Sequence, residues 1–246
     1  MKQKNFIFGI HPVIEAVRSG KEIDKILLQK GLRGEGFREL FNLCKELDIH
    51  CQFVPPEKLN SLSKQNHQGV IAFLSEVTYQ KLEDIIPFVY EQGRSPLILI
   101  LDRITDVRNM GAIARSAECA GVDALVIPVQ GSAQINSEAI KASAGALYKL
   151  PVCRSRNLKD ELQLLKASGI SIIAATEKGG KEFTEAQMSG PVAVIMGNEG
   201  TGIAGDLLNL ADDQVFIPVL GEIGSLNVSV AAGVILYEAV RQRKPD

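Results

Sequence analysis

Ile217-Pro-Val-Leu-Gly-Glu-Ile-Gly-Ser-Leu-Asn-Val-Ser-Val-Ala231 is the stretch that decides how this chain is read. It finishes an apolar strand pattern (Gln214 to Val219), breaks at two glycines, and restarts as an apolar helix pattern. Glu222, Ser225 and Asn227 sit at the break. A plain strand-to-helix connection needs fewer residues and less polar chemistry. Two glycines and several polar side chains at a strand end therefore predict a loop built to hold a ligand. On the residues alone a blander reading stays open, with Ser225 as the N-cap of the last helix and Asn227 in its first turn.

Working outward, strand and helix patterns alternate from Leu97 onward. Strands are predicted at Leu97–Leu101, Ala124–Pro128, Ile170–Ala175, Val192–Met196 and Val215–Val219. Helices are predicted at Met110–Ala120, Ser137–Leu147, Leu158–Ala167, Ile203–Leu210 and Leu226–Arg243. Near-continuous apolar strands between helices predict an α/β fold, a parallel sheet with helices on both faces. In such sheets ligands bind beyond the C-terminal strand ends. The loops after Leu101, Met196 and Val219 are expected to share that edge.

The N-terminal third reads as a smaller α/β module. Its helices are predicted at Pro12–Arg18, Gly36–Leu47 and Glu57–Leu62, and its strands at Ile23–Gln29, Cys51–Val54 and Gly69–Leu74. Residues 77–96 read as a linker with one amphipathic segment (Leu82, Ile85, Ile86, Val89), ending in the turn-rich Gly93-Arg-Ser-Pro96. The expected domains are therefore 1–76 and 97–246, joined by 77–96.

Composition narrows the function classes. The chain has 246 residues and a net charge of −2, so the whole molecule is no electrostatic nucleic-acid binder. Residues 1–75 carry 11 Lys/Arg against 8 Asp/Glu, and the remainder 16 against 21. This asymmetry hints at a polyanionic partner for the N-terminal module. Cys44, Cys51, Cys119 and Cys153 form no C-x-x-C pair and read as reduced, mostly buried thiols. His11, His50 and His67 are scattered, so no metal site is expected. The apolar runs are of strand length, far below a membrane span. Residues 1–9 lack the apolar core of a leader, and a cytosolic location is expected.

The loop after Leu101 carries Asn109, a candidate helix cap, and Arg115, whose planar fork suits a phosphate. The bland reading pairs Arg115 with Glu118. The second loop is Met196-Gly197-Asn198-Glu199-Gly200-Thr201-Gly202. Its glycines let backbone groups approach a ligand closely. The spacing G-x-x-G-x-G is neither the dinucleotide fingerprint nor a Walker A loop, and no ribose-binding acid follows at the right distance. A nicotinamide-dependent oxidoreductase is disfavoured on those grounds.

Taken together, Asn109-x-Gly111-Ala-Ile-x-Arg115, Met196-Gly-Asn-Glu-Gly-x-Gly202 and Ile217-Pro-x-x-Gly-x-x-x-Ser-Leu-Asn-Val-Ser-Val-Ala231 resemble the three signature motifs of the SpoU family. Its members are RNA ribose 2′-O-methyltransferases of the SPOUT superfamily. Phe8-Gly-Ile-His-Pro-Val-Ile-Glu-Ala-Val17 and His67-Gln-Gly-Val-Ile-Ala72 are similar to the family's substrate-binding domain, which itself resembles ribosomal proteins that bind kinked RNA. The resemblance implies a deep C-terminal trefoil knot, contrary to ordinary topology rules. It implies S-adenosylmethionine as cofactor, held by Gly197, Glu199, Gly202, Ile217, Leu226 and Asn227. It implies a homodimer with the last helix at the interface, and an RNA partner.

The expected reaction is attack of a guanosine ribose 2′-hydroxyl in 23S rRNA on the cofactor's methyl group. The expected catalytic set is Asn109, Arg115, Glu199, Ser225 and Asn227. Arg115 would hold RNA phosphate and ribose, Asn109 and Asn227 would fix geometry, Glu199 would orient Arg115 or Asn109, and Ser225 would position the hydroxyl. An arginine makes a poor base at neutral pH because its guanidinium stays protonated. Two alternatives stay open: a tRNA ribose methyltransferase, and a non-catalytic RNA-binding assembly factor of the same fold.

Overall fold

A computed structural model describes residues 6–47 and 49–244. The reading of residues 1–9 as leaderless rests partly on residues 1–5, which lie outside the described ones. The chain divides into two compact units, Met1–Thr78 and Tyr79–Asp246.

The first unit runs β1 (Phe6–Phe8), α1 (Ile10–Arg18), β2 (Ile23–Gln29), α2 (Glu35–Glu46), β3 (Cys51–Val54), α3 (Pro56–Leu62) and β4 (Val70–Leu74). The sheet order is β1-β4-β2-β3. Only the β2–β3 pair is parallel among the described pairs of this sheet. Strand alternation splits the core. Ile26 and Leu28 pack with Val13, Ile14 and Val17 of α1 and Leu40 and Cys44 of α2. Leu27 and Ile71 turn the other way, onto Leu59 of α3. Gln68, in the left-handed region at φ 51°, accepts a hydrogen bond from the Ile10 N–H through Oε1 at 3.1 Å. The His67-Gln-Gly segment thereby fastens the entry to β4 onto the start of α1.

The second unit starts earlier than expected. Residues 77–96 are no linker: β5 (Tyr79–Gln80) joins the large sheet and α4 (Leu82–Glu91) inserts Leu82, Ile85, Ile86 and Val89 into its core. There follow β6 (Leu97–Asp102), α5 (Val107–Cys119), β7 (Ala124–Pro128), α6 (Ser137–Ala142), β8 (Val152–Ser155), α7 (Leu158–Ala167) and β9 (Ser171–Ala175). The unit ends with β10 (Lys181–Glu182), β11 (Val192–Gly197), α8 (Gly205–Leu208), β12 (Asp213–Phe216) and α9 (Val228–Arg243). The sheet order is β10-β12-β9-β11-β6-β7-β8-β5, and every neighbouring pair is parallel.

Ile98 and Ile100 face α4, α7 and α8. Leu97 and Leu99, with register partners Val192 and Val194, are buried on the opposite face, where α9 meets β11 and packs on α5. Gly111 lets α5 approach α6: a Cβ there would lie 2.5 Å from the Ala142 Cβ and 2.7 Å from the Ala139 carbonyl oxygen. The last helix is clamped at its end. The Arg243 guanidinium donates to the carbonyls of Met188, Gly190, Ser95 and Pro96 at 2.6–3.0 Å. Among the described residues no helix is long and apolar enough to cross a membrane. Among the described residues no disulfide joins the four cysteines. Cys44 and Cys153 are buried, while Cys119 is exposed, and burial pushes the Cys153 thiol up to about 12.

Candidate active site

Because the sheet is parallel, the C-terminal ends of β12, β9, β11 and β6 lie side by side on one edge. A cleft of about 320 Å³ opens there. It is lined by Thr176 to Lys178 after β9, Met196 to Ile203 around the end of β11, and Ile217, Val219, Ser225 and Leu226 after β12. The three loops singled out in the sequence do share this edge.

The loop after β11 folds back on itself. Asn198 and Gly202 exchange backbone hydrogen bonds at 2.8 and 3.2 Å, and Gly202 takes a left-handed φ of 65°. Gly197 admits no side chain. A Cβ there would lie 2.4 Å from Gly202 C and from Ile203 N, so backbone forms that part of the cleft wall. Asn198 stiffens the turn by accepting from the Gly200 and Thr201 N–H groups at 2.9 and 3.1 Å.

Glu199 joins the three loops. Its Oε1 accepts from Asn109 Nδ2 at 3.0 Å and from Asn227 Nδ2 at 2.8 Å. Asn227 Nδ2 is also 3.1 Å from Asn109 Oδ1. A carboxylate that accepts from two amides fixes both of them. Of the two expected partners of Glu199, Arg115 and Asn109, it is Asn109 that Glu199 hydrogen-bonds.

Two cap assignments are corrected. The N-cap of α5 is Asp106, which accepts from the Arg108 and Asn109 N–H groups, both at 2.8 Å. Asn109 sits in the first turn, leaving its amide for Glu199. The N-cap of α9 is Asn227 rather than Ser225; Asn227 Oδ1 accepts from the Ser229 N–H at 2.9 Å. One side chain thus starts the helix with its oxygen and reaches Glu199 with its nitrogen. Ser225 lines the cleft instead.

Arg115 is exposed on α5 and has no hydrogen bond or ion pair among the described residues. Glu118, its expected bland partner, lies 3.9 Å from Lys149. Of the residues expected at the cofactor, Gly197, Glu199, Gly202, Ile217 and Leu226 line the cleft, and Asn227 touches its rim through Glu199. Among the described residues no group of three or more His, Cys, Asp or Glu could hold a metal.

Sequence reasoning missed Arg103. It sits just past β6 with φ 58°, left-handed backbone that a side chain disfavours. Its guanidinium forks onto buried Asp102 at 2.8 and 2.9 Å. That hydrogen-bonded carboxylate pushes the Arg103 pKa up from its ordinary value. The available signal is the Asp102-Arg103 pair at a strand end.

Comparison with known proteins adds to this geometry. The model of the SpoU rRNA methylase family matches residues 96–237, and that of RNA 2′-O ribose methyltransferase substrate binding matches residues 6–80. A Staphylococcus saprophyticus protein assigned to the TrmH family of tRNA/rRNA methyltransferases is 34% identical over 96% of this chain and 95% of its own length. Its Bacillus subtilis counterpart YacO is 31% identical over 99% and 98%. The crystal structure of the SpoU methyltransferase AviRb from Streptomyces viridochromogenes, in complex with AdoMet, superposes with a TM-score of 0.61 at 28% identity. That match covers 97% of this chain and 90% of AviRb. With the methylase model spanning more than half the sequence and relatives above 30% identity aligned along nearly all of it, the chain belongs to the SpoU rRNA methylase family.

Proposed function

We propose that this protein transfers a methyl group from S-adenosylmethionine to the 2′-hydroxyl of a guanosine ribose in 23S rRNA. The observation that carries the reading is the Glu199 node, which gathers Asn109 and Asn227 from two other loops beside the cleft. The cleft suits the cofactor: Gly197 leaves room for no Cβ, and the glycine-rich wall offers backbone donors and acceptors to a polar ligand. Gly197, Glu199, Gly202, Ile217, Leu226 and Asn227 would hold it. When bound, S-adenosylmethionine supplies a methyl group made electrophilic by its sulfonium.

The protein's task is then alignment and handling of a weakly acidic proton. Asn109 and Asn227, fixed by Glu199, set the position of the ribose. Ser225, at the cleft wall, positions the hydroxyl. Arg115, uncommitted among the described residues, receives the RNA phosphate and keeps the ribose from drifting. The N-terminal unit binds the RNA. A homodimer is part of the same proposal, supported by exposed apolar side chains in the loop after β12 and on α9: Leu220 is 99% exposed, Ile223 79% and Tyr237 53%; a cytoplasmic location is proposed with it. A trefoil threading of the C-terminal segment completes it.

Ribose-methylation mapping of total RNA, with and without this protein, tests the reading. One 2′-O-methyl mark lost from a 23S guanosine is the expected result. A lost mark in tRNA would move the substrate, and no lost mark with no methyl transfer in vitro would leave an RNA-binding assembly factor.

A further inference from the structure

The node at Glu199 fixes the loop after β11 from the front, while a second set of bonds holds it from behind. Asp102, with a side chain only 5% exposed, lies opposite Gly197 in the β6–β11 register. Its Oδ2 accepts from the Ala204 N–H at 2.7 Å, just beyond the loop. Both of its oxygens also take the Arg103 fork. From there Arg103 Nη2 reaches the Gly202 carbonyl at 3.1 Å, and the Arg103 carbonyl accepts from Asn198 Nδ2 at 2.9 Å. Both ends of the turn, Asn198 and Gly202, are therefore tied to one residue. That residue sits in left-handed backbone, a conformation maintained only where the surroundings over-determine it.

We infer that Arg103, anchored on Asp102, is a positioning residue that holds the Gly197–Gly202 turn in its ligand-ready shape and so sets the affinity for S-adenosylmethionine. The inference rests on the cofactor reading above. The chain's own geometry carries the rest: without the guanidinium the Gly202 carbonyl loses its outside donor, and without the strained backbone the Arg103 carbonyl need not face Asn198. The turn would then sample other shapes, and binding would select against them.

Arg103→Gly separates this role from simple stability. Glycine tolerates φ 58°, so relief of backbone strain offsets part of what the lost fork costs the fold. Arg103→Lys keeps the charge but not the fork. Titration calorimetry of the full chain with S-adenosylmethionine should show Kd raised about tenfold or more in Arg103→Gly, with kcat at saturating cofactor within about threefold of wild type. The melting temperature should stay within about 3 °C. Lysine should restore less than half of the lost affinity. Hydrogen exchange without cofactor should show faster exchange at the Gly200, Thr201 and Ala204 amides.

Unchanged Kd in Arg103→Gly overturns the inference. A raised RNA KM with unchanged cofactor Kd also overturns it, by making Arg103 an RNA ligand. Affinity lost together with a fall in melting temperature of more than about 10 °C overturns it too, as a plain stability effect. If the wild type fails to bind S-adenosylmethionine, the cofactor reading falls. The positioning role then stands or falls on the exchange of those amides alone.

Discussion

The loops after β11 and after β12 line the same cleft and could hardly be built more differently. Residues 197–203 are tied at the back through Arg103 and Asp102 and at the front through Glu199. Residues 218–227 are all exposed, and Leu220 and Ile223 point apolar side chains into solvent. The first loop is shaped before anything binds. The second meets the first where Asn227 donates to Glu199, and its Leu220 and Ile223 stay uncovered. Pre-shaping one wall of a site while leaving the other open reduces the ordering penalty on binding without closing the entrance.

The largest expected effect falls on neither loop. Arg115→Ala should lower methyl transfer by about 10³-fold or more, with the Kd for S-adenosylmethionine within about twofold, because α5 carries Arg115 outside the cleft wall. Equal loss of rate and binding in paired kinetic and calorimetric measurements would sink that assignment. Next, Asn227→Ala cuts the link between the loops and removes the cap of α9. A fall in kcat of about 100-fold is expected, and a rate within threefold would mean the two walls act independently.

Gly197→Ala attacks the shaped wall alone. The added methyl meets backbone at 2.4 Å, so the turn must move, and cofactor Kd should rise by about tenfold. An unchanged Kd would show that the turn adapts. A replacement of Glu199 by Gln should leave the rate within about tenfold of wild type if Glu199 only positions amides; a near-normal rate excludes it as proton acceptor. The mildest change is on the open wall. Leu220→Asp with Ile223→Asp should turn a dimer into a monomer by light scattering, while the melting temperature of the dilute protein shifts by no more than about 3 °C. A dimer that survives both substitutions would place the interface elsewhere.

How far the sequence foretold this site depended on how its residues signal themselves. The parallel sheet was readable because runs such as Leu97–Leu101 and Val192–Met196 are apolar throughout, as buried strands must be. Asn109, Glu199 and Asn227 stand out in the sequence because they fall in or beside the loops at strand ends, Asn109 in the first turn of α5 and Asn227 at the cap of α9. The caps could not be placed from sequence because Asp, Asn and Ser are all good N-caps, and the competition among Asp106, Asn109, Ser225 and Asn227 is decided by backbone geometry. The strand at 79–80 and the one at 181–182 are two residues long, too short for any periodicity. Residues 82–91 carried a helical apolar stripe, but the turn-rich Gly93-Arg-Ser-Pro96 beyond it made the stretch read as linker. Arg103 stayed hidden because its importance lies in a backbone angle and in contacts to the Gly202 carbonyl and the Asn198 amide, 99 and 95 positions away.

The clamp at the end of α9 has a consequence for how the protein is made. Arg243 satisfies the carbonyls of Ser95 and Pro96, which precede it by 148 and 147 positions. At ~5–20 residues per second a ribosome needs roughly 7 to 30 s to travel that distance. Throughout that interval the central strand of the large sheet has been synthesised, but the group that closes its entrance has not. The nascent second unit therefore cannot complete this clamp until that much more chain has been made.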